Sequence, residues 1–193
     1  MKIRIVALIL ALAAQTGLAQ ELYKTTKARA AERAAMLETL QKGKEIQGSR
    51  GQYRLLPEVH AVEQEALSRI GESGAQVLET KGRLVLFRST QQKPAFVERV
   101  AGASVYPTVV NTRTGTLGVL TGTLVVKPKS LADAAAIASS HGLEKGKEYP
   151  QLQTVFYRAK AGADIADAAA ALQADARIES AYPEIIEYVR TPK

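Results

Sequence analysis

The sequence predicts an α+β fold, and three patterns along the chain carry that expectation. Two segments, 25–47 and 59–70, set apolar residues at helical spacing. Two others, 75–88 and 106–120, alternate apolar and polar residues about turn signals. From residue 121 onward, strand and helix patterns follow one another in the order β-α-β-β-α-β. The 193 residues include no cysteine, so disulfides are excluded and stability falls to the hydrophobic core.

At the N-terminus, Lys2 and Arg4 precede an apolar run from Ile5 to Ala14 and small residues around Gly17-Leu18-Ala19. This is the pattern of a secretory signal peptide over 1–19, cleaved near Ala19, and it implies a periplasmic or secreted mature protein. The run is too short to span a bilayer, and no later stretch reaches the roughly 18 apolar residues a spanning helix needs, so no membrane association is expected after cleavage. The formal charge of +7 is scattered rather than gathered into a basic stripe interleaved with aromatics. Nucleic acid is therefore not an expected partner.

Residues 20–120 form a predicted N-terminal α+β region. In 25–47, Ala30, Ala34, Leu37 and Leu40 line one face of an amphipathic helix that Gly43 or Gly48 ends, and its charges of both signs argue against a membrane-surface role. Gly48, Gly51 and Pro57 mark a loop before a second helix over 59–70, with His60 on its surface. Ala75–Thr80, Lys81-Gly82 and Arg83–Arg88 read as a hairpin. So do Tyr106–Val110 and Thr116–Leu120, joined by Asn111–Gly115 with Gly115 suited to a positive φ. The residues of this region do not disclose its task.

Within 121–193, strands are expected over 121–127, 143–149, 153–159 and 178–183, and helices over 131–140 and 165–174. Ser130 with Asp133, and Asp164 with Asp167, each place a capping oxygen three residues before an acid. Ile165, Ala168, Ala169 and Leu172 make a narrow apolar helix face. This order closes naturally into a ferredoxin-like antiparallel sheet with both helices on one face. The other face is then bare of helices. Thr154, Phe156 and Arg158 point to one side of their strand and Val155, Tyr157 and Ala159 to the other, so either the N-terminal region or a partner covers the second face.

Three stretches carry a family resemblance: Thr121-Gly-Thr-Leu-Val-Val-Lys-Pro-Lys129, Ala161-Gly-Ala-Asp-Ile-Ala-Asp167, and Leu172-Gln-Ala-Asp-Ala-Arg-Ile-Glu-Ser-Ala-Tyr-Pro-Glu184. Over 121–193 the chain resembles the subtilisin propeptide-like domains, chaperones and inhibitors of subtilase serine proteases. Ala176 and Tyr182 depart from the Pro and Glu common there. No protease sequence follows Lys193, so the chain is similar to a secreted external chaperone acting in trans, as for a kexin-like bacterial serine protease. The resemblance implies a subtilisin-like protease partner that docks on the open sheet face, with Phe156, Arg158, Glu179 and Tyr182 as docking residues. It also implies an extended tail over 184–193 lying in the protease cleft, with Tyr188, Val189, Arg190, Thr191, Pro192 and Lys193 as the binding residues. Lys193 would take the primary pocket, as suits a protease that cuts after basic residues. Independently, an extended peptide at a cleft edge gains main-chain hydrogen bonds and side-chain specificity, and Pro192 limits the entropy lost on binding.

No catalytic residue, metal site or cofactor is expected. Ser140, His141 and Asp133 make a triad only on paper, with no supporting nucleophile motif, and His141 beside Gly142 reads as a helix C-cap. Glu63 with Glu65, and Glu184 with Glu187, read as solvated charges. Tyr182 and Tyr188 are the aromatic interface candidates, with core or edge packing equally open for Tyr182. The expected function is non-enzymatic protease chaperoning and inhibition. The alternatives are an envelope-assembly protein binding another chain by strand addition, and a small-ligand binder using the N-terminal sheet.

Overall fold

The computed structural model describes residues 31, 34–40, 42–70, 75–89, 98–160 and 162–188, in two compact units, 1–40 and 41–193. In the first unit, residues 34–39 are helical (α1), and the start of the predicted 25–47 helix lies outside the described residues. Its predicted end is a strand instead. β1 (Glu45–Gly48) turns through Ser49 and Arg50 into β2 (Gly51–Glu63), pairing Glu45 with Arg54 and Ile46 with Tyr53. Ile46 and Gly48 are buried while Glu45 and Gln47 are exposed, a period of two that only a strand serves.

The predicted helix over 59–70 is also corrected. β2 runs to Glu63 and gives way to a single 3-10 turn, Gln64–Ala66. Val59, His60, Ala61 and Val62 are all buried. A strand covered on both faces loses its alternation and reads like a buried helix, and β-branched Val59 and Val62 favour the extended form. His60 is consequently not on a helix surface but 2% exposed, its ring 6.2 Å from that of Phe87.

Both hairpins form. β3 (Gln76–Lys81) and β4 (Leu84–Arg88) join across Gly82 at φ 60°. β5 (Glu98–Val100) pairs with the start of β6 (Ala103–Asn111), and β6 pairs with β7 (Leu117–Pro128) across a turn in which Gly115 adopts φ 68°. Asn111 closes that turn with its side chain, Oδ1 accepting from the backbone N–H of Arg113 and of Thr114, each at 3.1 Å.

After β7 come α2 (Ala134–Ser140), β8 (Glu144–Tyr149), β9 (Thr154–Arg158), α3 (Ile165–Gln173) and β10 (Ile178–Ile186). The predicted caps form: Ser130 Oγ accepts from Ala132 N at 3.3 Å, and Asp164 Oδ1 accepts from Ala166 N at 2.8 Å and Asp167 N at 3.1 Å. The sheet runs β3-β4-β2-β6-β7-β9-β8, with β1 on β2, β5 on β6 and β10 on β7, and every pairing is antiparallel.

β7 ties the sheet together. One of its edges carries β10; the other carries β6 along residues 117–119 and β9 along 123–126. Between the last two, Gly122 takes φ 83°, a conformation glycine reaches without steric cost. The expected boundary at 120/121 thus falls inside a continuous strand. α2 and α3 cover one face of β7, β9 and β10, where Ile137, Ile165 and Leu172 pack on Leu124, Val126, Val155, Tyr157 and Ala181. The Tyr157 hydroxyl donates to Ala134 O at 3.0 Å, so this large buried side chain leaves no polar atom unmatched.

Candidate functional site

The second face of β7, β9 and β10 is built from the alternate residues of the same strands. Tyr182 lies directly across from Val125, and Val125 across from Phe156, so three apolar side chains on three strands form one row. All three are half-buried, whereas their neighbours Leu124, Val126, Val155 and Tyr157 are buried. Tyr149 extends the row, its ring edge-on to Phe156 at 5.5 Å, and Lys147 Nζ stands 4.7 Å from the Tyr149 ring centre. Charges frame the row. Arg158 sits opposite Thr123, Lys127 Nζ donates to Glu179 at 2.8 Å, and Thr121 Oγ1 donates to Glu184 at 2.7 Å. Beside it, Lys145, Lys147, Phe156 and Arg158 line an open groove of ≈ 330 Å³.

The structure therefore brings Phe156, Arg158, Glu179 and Tyr182 onto one face. Residues 45–111 continue the sheet sideways through the β6–β7 pairing, and the row stays half-exposed. Val125, the centre of the row, was not singled out from sequence. The signal was there, since it alternates with Leu124 and Val126 in β7, but the pairing that makes it central is tertiary.

At the other end of β10 the expected tail over 184–193 is corrected. Ile185 pairs with Leu120 and Ile186 with Val119, because β7 begins at Leu117 rather than Thr121 and offers that much more edge. Tyr188 is 65% exposed, and Val189, Arg190, Thr191, Pro192 and Lys193 lie outside the described residues. The reading of Glu184 and Glu187 as solvated charges is corrected too: Glu184 is half-buried and Glu187 is buried. Glu187 Oε1 accepts from Asn111 Nδ2 at 3.1 Å, and its Oε2 lies 3.5 Å from Arg50. Its main-chain oxygen accepts from Lys81 Nζ at 2.7 Å, and Lys81 also pairs with Glu79 at 2.7 Å. Burial raises the pKa of the adjoining Tyr53 hydroxyl; Asn111 opposes the shift and the Glu187 charge adds to it.

His141 and its neighbours form a third cluster. His141 Nε2 meets Asp175 Oδ2 at 2.8 Å rather than Asp133, and Ser140 Oγ donates to Ala136 O at 2.9 Å while accepting from Arg177 at 2.7 Å. Arg177, then His141, hold the Asp175 carboxyl well below the usual carboxylate range. The cluster pins the end of α2 to the loop before β10. Among the described residues no group of three or more His, Asp or Glu is placed to hold a metal ion, and no helix is long and apolar enough to cross a membrane.

The fold and site define an α+β protein with one sheet face under helices and one presenting a framed aromatic row. The chain matches the model of the family described as "Open reading frame 2 N-terminal domain" over residues 12–192 and belongs to that family. No curated protein matches it. Among solved structures, it is similar to a chain in the crystal structure of the Aeromonas sobria serine protease (ASP) and chaperone (ORF2) complex, with 22% identity, 50% of this chain and 99% of that chain covered, and a TM-score of 0.38.

Proposed function

We propose that the protein is an exported, trans-acting chaperone and inhibitor of a subtilisin-like serine protease. The 121–193 segment, with its β10-β7-β9-β8 strand order, acts as a ferredoxin-like docking module. Its open face seats on the protease, and residues 188–193 enter the active-site cleft. The observation that carries this reading is the Tyr182–Val125–Phe156 row: a half-exposed apolar stripe with an aromatic ring at each end and charged borders, of the kind that supplies contact area at low entropy cost. The role is one of binding, and inhibition comes from occupying the cleft.

Strand addition at the β8 edge, which envelope assembly would use, is less well served. That edge carries Glu144, Lys145 and Lys147, and its register shifts between Lys145 and Glu148, two features that discourage pairing with another chain. The test is inhibition of a panel of subtilisin-like proteases, including one that cuts after basic residues, by the 20–193 protein. Tight inhibition that is lost on deleting Arg190 to Lys193 supports the proposal; inhibition indifferent to that deletion, or none by any panel member, overturns it.

A further inference from the structure

The end of β10 and the residues just after it meet the N-terminal strands, whose task the sequence left open. Ile185 enters a socket made by two glycines. A Cβ at Gly118 would lie 2.5 Å from Ile185 Cγ2, and one at Gly48 would lie 2.9 Å from Ile185 Cδ1. Both distances are shorter than real Cβ contacts allow, so a side chain at Gly118 would displace Ile185, and one at Gly48 would displace Ile185 or Tyr53, whose Cε2 would lie 2.6 Å from the added atom. Two residues on, Glu187 is held by both its side chain and its main chain. The Asn111 amide reaches it from the end of β6, Arg50 from the β1–β2 turn, and Lys81 from the β3–β4 hairpin.

Three separate loops of the region 45–120 thus converge on one residue. Burying a carboxylate is costly unless it is paired and hydrogen-bonded, so Glu187 has one favourable place. Arg50 then reaches one residue further, its guanidinium carbon 5.9 Å from the Tyr188 ring centre. Ile185 and Glu187 are thus held in place, and Tyr188 itself is exposed.

We infer that Glu187 is a positioning residue and that the strands of 45–120 form a clamp fixing where, and in which direction, the C-terminal segment leaves the sheet. This rests on the proposed function, in which that segment enters a protease cleft while the sheet face docks. Docking one surface converts insertion of the tail into an intramolecular step. Its effective concentration depends on the tail starting from the right point, so a loosened anchor weakens insertion without altering the docked face.

The test is a thermodynamic cycle on the 20–193 protein and a form ending at Glu187, each with and without Arg50→Ala, and again with Glu187→Gln. Affinity is measured for a catalytically inactivated subtilisin-like protease that cuts after basic residues. Arg50 is exposed but partners the buried Glu187 carboxylate, so urea melts of each variant register any loss of folding. The inference predicts that either substitution weakens the full-length protein roughly tenfold yet leaves the shortened form unchanged, a non-additivity that marks coupling through the tail. Equal weakening of both forms, or of neither, overturns the clamp while leaving protease binding standing. Full-length and shortened proteins that bind equally, or a full-length protein that does not bind, overturn the proposed function and the clamp with it.

Discussion

The two faces of the C-terminal sheet are made by the same strands and treated in opposite ways. On one, Leu124, Val126, Val155 and Tyr157 lie under α2 and α3 and are buried. On the other, Val125, Phe156 and Tyr182 are aligned just as closely and stay half-exposed. Apolar content alone does not separate them; cover does. The covered face holds the fold, and among the described residues no helix covers the other, whose apolar area the proposed docking would use.

Substitutions that deplete each face in turn are the strongest way to break this contrast. Leu172→Ala, which removes a fully buried side chain of α3, is expected to cost about 2–5 kcal/mol of stability by urea unfolding. Phe156→Ala with Tyr182→Ala should lower stability far less, yet weaken binding to the inactivated protease by about 30-fold or more, the loss of about 2 kcal/mol typical of a central aromatic contact. Equal losses of stability from the two changes would make the outer row a second core.

Titration sharpens the contrast on the inner face. Burial first, then the Glu148 charge, push the Tyr157 hydroxyl up to about 12. A group whose folded pKa is raised contributes stability in full below its unfolded value, about 10, and loses it as the pH climbs from there to about 12. Tyr157→Phe should flatten that alkaline slope and cost about 1 kcal/mol at neutral pH for the lost hydrogen bond to Ala134 O. At the acid end the sign reverses. The Asp175 carboxyl is depressed by Arg177 and His141, so its contribution is present above about pH 4 and disappears as the pH falls through the lower folded value. Asp175→Asn should therefore reduce the acid dependence of urea midpoints while leaving the alkaline slope intact. The smallest effect is expected at the rim: Lys127→Ala breaks an exposed pair with Glu179 and should change stability by less than about 1 kcal/mol.

The legibility of the chain follows local chemistry. The C-terminal elements could be read because each is announced within a few residues: capping oxygens at Ser130 and Asp164, alternation through 153–159, and apolar spacing through Ile165, Ala169 and Leu172. The hairpins around Gly82 and Gly115 could be read for the same reason. β2 could not, because a strand buried on both faces has no alternation to display, and Val59 to Val62 fit a helix equally well. That Phe156 shares a side of its strand with Thr154 and Arg158 was legible from alternation, whereas Tyr182 read equally well as an interface or a packed residue. That they share a row depends on β7 standing between β9 and β10.

By itself the sequence determined the capping oxygens at Ser130, which caps the 3-10 turn Leu131–Asp133 leading into α2, and at Asp164 before α3, the division of the β9 side chains between two faces, and the absence of any disulfide. Only the tertiary structure decided that β7 serves three partners at once, that β10 continues past Pro183 along it, and that Glu187 is buried. The reason is physical: alternation and capping act between near neighbours, whereas the cost of burying the Glu187 carboxylate is met by Asn111 and Arg50, with Lys81 on the main-chain oxygen of the same residue, side chains that become neighbours only when the sheet is complete.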